Sequence, residues 1–357
     1  MKKIIIAAMA LISLQAIAQD TIKNPLTFSG YVEGYYSYDF GKPANHVKNA
    51  AFYNFNKHNE VNLNLGVIKA AYANDKVRGN LALMVGTYAE YNLAAEQGLL
   101  KNVYEANIGV KISEKHNLWV DLGIMPSHIG FESAIGKDCW TLTRSILAEN
   151  SPYFEAGVKV GYTTPNQKLY VAAMYLNGWQ RIQRVEGNQT PAFGTQVTYK
   201  PNSSTTLNWS TYIVNEQNDT IKKWRYFNNV FVQHQFTEKL GLIAGFDIGI
   251  QQQAKGSNQY NVWYSPVAIV QYKPTDKTRM AARVEYYTDK HGVIIPTGTE
   301  NGFKTTGYSL NFDYLPMENV LFRIEGRMLD SKDKIFLNNE NPSFQNYSIT
   351  TSLALSF

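Results

Sequence analysis

The chain carries a single cysteine, Cys139, so no internal disulfide can form and no covalent staple holds the fold. No stretch approaches the roughly 18 consecutive apolar residues of a membrane-spanning helix, which excludes a helical inner-membrane protein. The six histidines, at 46, 58, 116, 128, 234 and 291, show no paired metal spacing. No glycine-rich loop leads into Lys-Ser or Lys-Thr, and no Gly-x-Ser-x-Gly elbow occurs. An excess of one charge is missing too. The net charge of +5 becomes +3 once Lys2 and Lys3 are removed with a leader, too balanced for the concentrated basic patch of a nucleic-acid binder. No cofactor, no metal and no catalytic residue is therefore expected, and nucleic acid is not an expected partner.

What is present begins with the N-terminus. Met1-Lys2-Lys3 is basic, Ile4 to Leu14 is apolar, and Ala16-Ile17-Ala18 fits a small-x-small cleavage site. That is a secretory signal peptide over 1–18, with Gln19 as the mature start. The rest is rich in aromatics, with 24 Tyr, 17 Phe and 6 Trp, a composition that suits strands and membrane-interface girdles.

The dominant pattern has period two. Phe28, Val32, Tyr36 and Tyr38 fall on one face and Ser29, Glu33 and Ser37 on the other; Glu60 to Leu65 alternates likewise. Successive strand side chains point to opposite faces, so each segment is a ribbon with one apolar and one polar side. The chain divides into about sixteen such strands, the third placed at 77–91 and the last at 344–357. Short connections rich in turn formers alternate with long ones, the layout of periplasmic turns and extracellular loops. The expected fold is all-β: a transmembrane up-and-down antiparallel β-barrel over 19–357, with both ends periplasmic and a water-filled lumen. Helical character is expected only at Trp140 to Glu149, inside the longest connection. In the final strand Phe357, Leu355, Leu353, Thr351, Ile349 and Tyr347 share a face. An amphipathic last strand ending in Phe resembles the one the barrel-assembly machinery recognises, which makes Phe357 the candidate assembly signal.

Four segments carry a family resemblance: Asn59 to Gly66 (NEVNLNLG), Gly123 to Glu132 (GIMPSHIGFE), Ser151 to Lys159 (SPYFEAGVK) and Tyr175 to Gln180 (YLNGWQ). Their order and spacing resemble the OmpL-like β-barrel porins of Bacteroidetes. The resemblance implies a Gram-negative outer-membrane porin, a passive channel for small hydrophilic solutes; it carries over no catalytic or substrate residue.

Parity assigns charges to the lumen, because Arg facing lipid near the midplane costs about 2–4 kcal/mol. The clearest cluster is Arg279, Arg283 and Glu285 on the thirteenth strand with Arg323, Glu325 and Arg327 on the fifteenth. Two readings stay open: the basic wall of a constriction, which would select solutes through a transverse field, or a self-neutralising network. The connection from Ser127 to Ser151 is long enough to fold inward, and Glu132, Lys137, Asp138, Arg144 and Glu149 could line an eyelet there; an extracellular cap is the other reading. Tyr35, Tyr36, Tyr38 and Trp179 read as interface girdle. Two other functions compete with the channel: a non-conducting structural or adhesin barrel, and an outer-membrane phospholipase using His234, which would need a Ser beside it. The partners expected are outer-membrane lipid, the barrel-assembly machinery and small hydrophilic solutes. A homo-oligomer is left open.

Overall fold

A computed structural model describes residues 25–49 and 51–357; the expected signal peptide lies outside them. The first five strands are β1 (Leu26–Asp39), β2 (Val61–Ala73), β3 (Val77–Val85), β4 (Val103–Lys111) and β5 (Asn117–Pro126). After the longest connection come β6 (Phe154–Thr163), β7 (Leu169–Leu176), β8 (Ala192–Asn202), β9 (Thr205–Asn215) and β10 (Trp224–Gln235). The wall continues through β11 (Leu240–Gln252), β12 (Tyr260–Thr275), β13 (Thr278–Asp289), β14 (Phe303–Met317) and β15 (Val320–Ser331). A small hairpin, β16 (Phe336–Asn338) and β17 (Asn341–Ser343), precedes the closing strand β18 (Gln345–Ser356). Every barrel strand pairs antiparallel with its neighbours, and β18 pairs with both β15 and β1, so sixteen strands close a barrel with no free edge. Closure is what satisfies every backbone group in hydrocarbon. Strand lengths of 8 to 16 residues suffice for tilted crossing, and no described helix is long and apolar enough to cross a membrane.

The alternation read from the sequence becomes an inverted burial pattern. On β15, Phe322 and Ile324 are exposed while Arg323 and Glu325 are buried. The exposed face is apolar because lipid, not water, is its solvent. Aromatics ring it at two levels: Phe28, Tyr72, Tyr199, Tyr272 and Tyr314 near the short turns, and Phe40, Tyr175, Phe193, Tyr264 and Tyr347 near the long loops. At the seam, Gly30 N–H donates to Phe357 O at 2.7 Å and Phe357 N–H returns to Gly30 O at 3.0 Å. The outward Phe357 ring covers the bare backbone of Gly30, an aromatic shielding an otherwise naked glycine in a strand.

Pro266 sits inside central β12, where a missing N–H is costly. The pairing with β13 is interrupted between Tyr264↔Thr288 and Val267↔Glu285 with the register kept, so Tyr286 lies opposite the proline. The buried Ser265 hydroxyl donates to the Tyr286 carbonyl at 2.8 Å, doing what the proline cannot. Ser265→Ala should therefore cost about 1–3 kcal/mol, the penalty of an unpaired buried carbonyl. Urea unfolding in lipid vesicles reads this as a lower midpoint; an unchanged midpoint would show that the carbonyl is otherwise satisfied.

Three local expectations are corrected. The third strand stops at Val85, and Thr87–Asn92 is a short helix, because Gly86 at φ 119° turns the chain out of the wall. Helix in the longest connection covers only Ile146–Glu149, capped by the Ser145 side chain accepting from Ala148 N–H; Trp140 to Arg144 is irregular because wall side chains take its backbone groups. Tyr35 and Trp179 are not girdle residues. Tyr35 is buried on the lumen side against Phe55, its hydroxyl within 3.4 Å of Thr87 Oγ1, and Trp179 packs edge-on to Tyr212 and Phe227. A girdle cannot be told from an inward aromatic cluster by residue type alone.

Candidate functional site

The connection between β5 and β6 leaves the rim, descends the lumen, and returns. Its descent begins at His128, held in a socket built by β6, β8 and β9. His128 Nδ1 lies 2.7 Å from Glu155 Oε2 and Nε2 lies 2.9 Å from the Thr211 carbonyl. Its own carbonyl accepts from Ser210 Oγ at 2.8 Å. Tyr212 stacks on the ring, and Gly194 leaves the space it occupies: a Cβ there would stand 2.7 Å from His128 Cε1. The chain then crosses to β10, where Gly130 N–H donates to Asn229 Oδ1 at 3.1 Å. Phe131 meets Phe231 and fills the space above Gly245.

The lowest point is the turn Gly136–Asp138. Arg323 clamps it, donating to Gly136 O at 2.8 Å and Cys139 O at 3.0 Å, while its other edge is bidentate to Asp313 at 2.7 and 3.0 Å. On the way back each turn of backbone is gripped by a wall side chain. Leu142 N–H donates to Asn311 Oδ1 at 2.9 Å, Thr143 N–H to Glu325 at 2.6 Å, and Ile146 N–H to Glu285 at 2.6 Å. Those two carboxylates belong to a buried ion network: Arg283 reaches Glu325 at 2.9 Å and Glu285 at 3.2 Å, and Arg327 reaches Glu285 at 2.6 Å. Arg283 also donates to the Thr143 carbonyl at 2.6 Å, and Arg327 to the Arg144 carbonyl at 3.0 Å. Charge-assisted bonds of this kind are the strong ones in a low-dielectric space.

The connection is also laced to itself and to other loops. Arg144 spends its guanidinium on the carbonyls of Ser133, Leu142 and Ala134. Glu132 accepts from Ser145. Glu149 accepts from Tyr53 N, Asn54 N and Asn54 Nδ2 of the first loop. Apolar side chains complete the filling: Ala134, Leu147, Ala148 and Tyr153 pack with Tyr31, Ile243, Val267 and Ile269 of the wall.

Of the eleven site positions expected from the sequence, eight are buried in this assembly: Arg283, Glu285, Arg323, Glu325, Arg327, Glu132, Arg144 and Glu149. Lys137 and Asp138 lie exposed at its tip, and Arg279 stays half-exposed below the network, outside it. The residues that sequence reasoning missed are Asn311, Asp313, Asn229 and His128, the partner of Glu155. Asn311 and Asp313 share the inward parity of β14 and lie opposite Glu325 and Arg323, a signal that cross-strand pairing could have supplied.

Three groups of the connection make the docking depend on pH, and Glu132, raised by burial, has the same sign as the two that follow. Burial pushes His128 down, but the Glu155 carboxylate and the Thr211 carbonyl outweigh it and hold the imidazole above its ordinary value. Burial pushes the Glu149 carboxyl up to about 7, against the bonds from Tyr53 and Asn54 and the Arg144 charge. A raised histidine contributes stability that is complete below its unfolded value of about 6.5 and is lost as pH rises through the folded value. A raised carboxyl loses docking stability between about 4.5 and 7 as it ionises. Both signs agree, so the connection is held tightest in acid. Conductance in planar bilayers should rise from pH 5 to pH 9, and His128→Gln should flatten the upper part of that rise; a conductance that falls with pH would contradict the assignment.

Among the described residues no group of three or more His, Cys, Asp or Glu is placed to hold a metal. A family model described as "Putative beta-barrel porin-2, OmpL-like" matches residues 25–357. No curated protein matches the sequence. Solved structures with the same fold include the anion-selective porin of Comamonas acidovorans, 9% identical over 93% of this chain and 99% of that one, TM-score 0.61. The outer-membrane channel DcaP of Acinetobacter baumannii is 12% identical over 96% of this chain and 100% of that one, TM-score 0.60. OmpT of Vibrio cholerae in its trimer form is 11% identical over 93% and 99%, TM-score 0.59.

Proposed function

The chain belongs to the beta-barrel porin-2, OmpL-like family, outer-membrane channels for small solutes, and from that premise we propose that flow through it is set by the connection 127–151. The observation that carries this reading is the grip of Asn311, Glu325 and Glu285 on the backbone N–H groups of Leu142, Thr143 and Ile146 of that connection. A loop lying loosely over the mouth would need no such buried acceptors, each of which costs free energy unless paired. The arginine rows of β13 and β15 then act as the clamp that holds the constriction in place, and their charges neutralise the glutamates instead of presenting a bare basic wall. Glu132, Arg144 and Glu149 stiffen the constriction, and Lys137 and Asp138 face the solute below it.

The role we read is that of a channel. His234, the residue of the phospholipase alternative, faces outward and bonds Thr205 Oγ1 at 2.9 Å, so the hydroxyl beside it is that of a threonine. Phe357, outward at the seam, fits an assembly signal. The OmpT trimer form is one precedent for an assembly of barrels, and a homo-oligomer remains part of this reading.

Liposome swelling with sugars and amino acids of graded size tests the proposal. Expected are slow entry of the smallest solutes and a sharp cut-off. Equal rates across the series, as a wide open sixteen-strand barrel would give, would refute a constriction at this connection.

A further inference from the structure

The charges of the lumen are unevenly paired along its axis. At mid-height Arg283, Arg323 and Arg327 pair with Glu285, Glu325 and Asp313, and Glu33 and Asp247, in no ion pair of the described residues, accept from Asn64 and Ser352 and from Asn229. Nearer the short turns the cations outnumber their partners. Asp121 is bidentate to Arg78, both bonds 2.7 Å, so Lys159, opposite Asp121 in the register, has no ion pair. Asp313 is likewise bidentate to Arg323, which leaves Arg279, opposite Asp313, without one. Glu105 is taken by Lys69 at 2.6 Å. Lys111, beside Trp119 on the inward parity of β4, and Lys273, facing Arg279, are also outside every ion pair of the described residues, as is Lys137 at the tip of the inward connection. Five cations thus stand outside ion pairs, against Asp138, the turn residue Glu318 and the buried Glu33, which lies against Gly136 and shares its charge with Arg144 and Arg323.

These side chains border space open to solvent. Cavities of about 440 and 270 Å³ flank Lys137 and Asp138, the first reaching Lys69 and Glu105, the second reaching Arg279 and Glu318. Lys111, Lys159, Lys273 and Arg279 are all partly exposed. The turns below carry acids and lysines in equal number and so add no net charge. Like charges converging on a cleft with low-dielectric walls raise the local concentration of the opposite ion.

We propose that the periplasmic half of the lumen is an anion-collecting vestibule, and that the solutes of this channel are small anions. The inference rests on the channel reading above and adds the class of solute to it. The arginines that the sequence pointed to first, Arg283, Arg323 and Arg327, are spent on buried glutamates and an aspartate; the selecting charges are the lysines and Arg279 beneath them.

A test that needs no current reads the vestibule directly. In a Cys139→Ser background, Ser356→Cys places a reporter thiol beside Lys137, and Ser29→Cys serves as a second site. Detergent-solubilised protein in low salt is reacted with methanethiosulfonates carrying either a sulfonate or a trimethylammonium group. The sulfonate should react faster, relative to its rate with a free thiol, at both sites. At Ser356→Cys, which borders both cavities, adding Lys137→Gln and Arg279→Gln should lower that preference roughly tenfold, as removal of two neighbouring charges predicts at low ionic strength. Equal rates for the two reagents, or a preference that survives both neutralisations, would overturn the proposal. In planar bilayers under a KCl gradient, chloride should carry most of the current, and Lys111→Gln with Lys159→Gln should move the reversal potential toward zero; a cation-selective current would also overturn it. Absence of any current, with the sulfonate preference intact, would defeat the channel reading and leave the vestibule standing.

Discussion

Removing Ser133 to Leu147 should raise single-channel conductance several-fold. The deletion takes out the segment that Arg323, Asn311, Glu325 and Glu285 hold inside the barrel, while its ends, near His128 and Tyr153, stay anchored on β6 and β9. The barrel wall is a continuous antiparallel ladder and does not need the connection for closure. The price is a set of lumen acids and arginines returned to water, which a wet interior tolerates. Planar-bilayer recording of the deletion beside the full chain gives the answer. Conductance equal to that of the full chain would mean that solutes bypass this connection.

The second large effect is expected at Arg283. This one guanidinium contacts Glu325, Glu285, Thr141 and the Thr143 carbonyl, all buried. Arg283→Ala leaves Glu285 with Arg327 alone and Glu325 without its ion pair, and breaking a buried network by removing one partner costs about 3–5 kcal/mol. The loss falls on the connection and not on the strands, so it should appear as flickering, larger-conductance openings before it appears as unfolding. Arg279→Ala, four residues below on the same parity, removes a cation outside every described ion pair and should leave gating unchanged. If both substitutions behave alike, the network does not hold the connection.

The contrast between these two arginines shows where the sequence stops being legible. Period two in Phe28 to Tyr38 and in the last strand fixes which side chains face lipid, because the cost of misplacing Arg or Glu is large and acts on every strand. That is why the sixteen strands, the alternating connections and the inward parity of Arg279, Arg283, Arg323 and Arg327 could be read directly. Parity says which way a side chain points but nothing of what fills the space it points into. Arg283 and Arg279 are indistinguishable by pattern, and only the path of a connection more than a hundred residues earlier separates them. The same limit hid Trp179 and Tyr35, and it hid the depth of Gly136, whose carbonyl is clamped by a residue 187 positions later. The length of 127–151 allowed an inward path and an extracellular cap alike; the anchors at His128 and Arg144 are tertiary and left no periodic trace.

Hydrogen–deuterium exchange of the full chain in lipid bilayers tests the central claim most directly. Amides of Leu142, Thr143 and Ile146 donate to buried wall side chains, so the peptide covering them should exchange as slowly as the barrel strands and far more slowly than the surface loop at Ala254 to Gln259. Exchange of that peptide at the rate of the surface loop would contradict a connection packed inside the lumen.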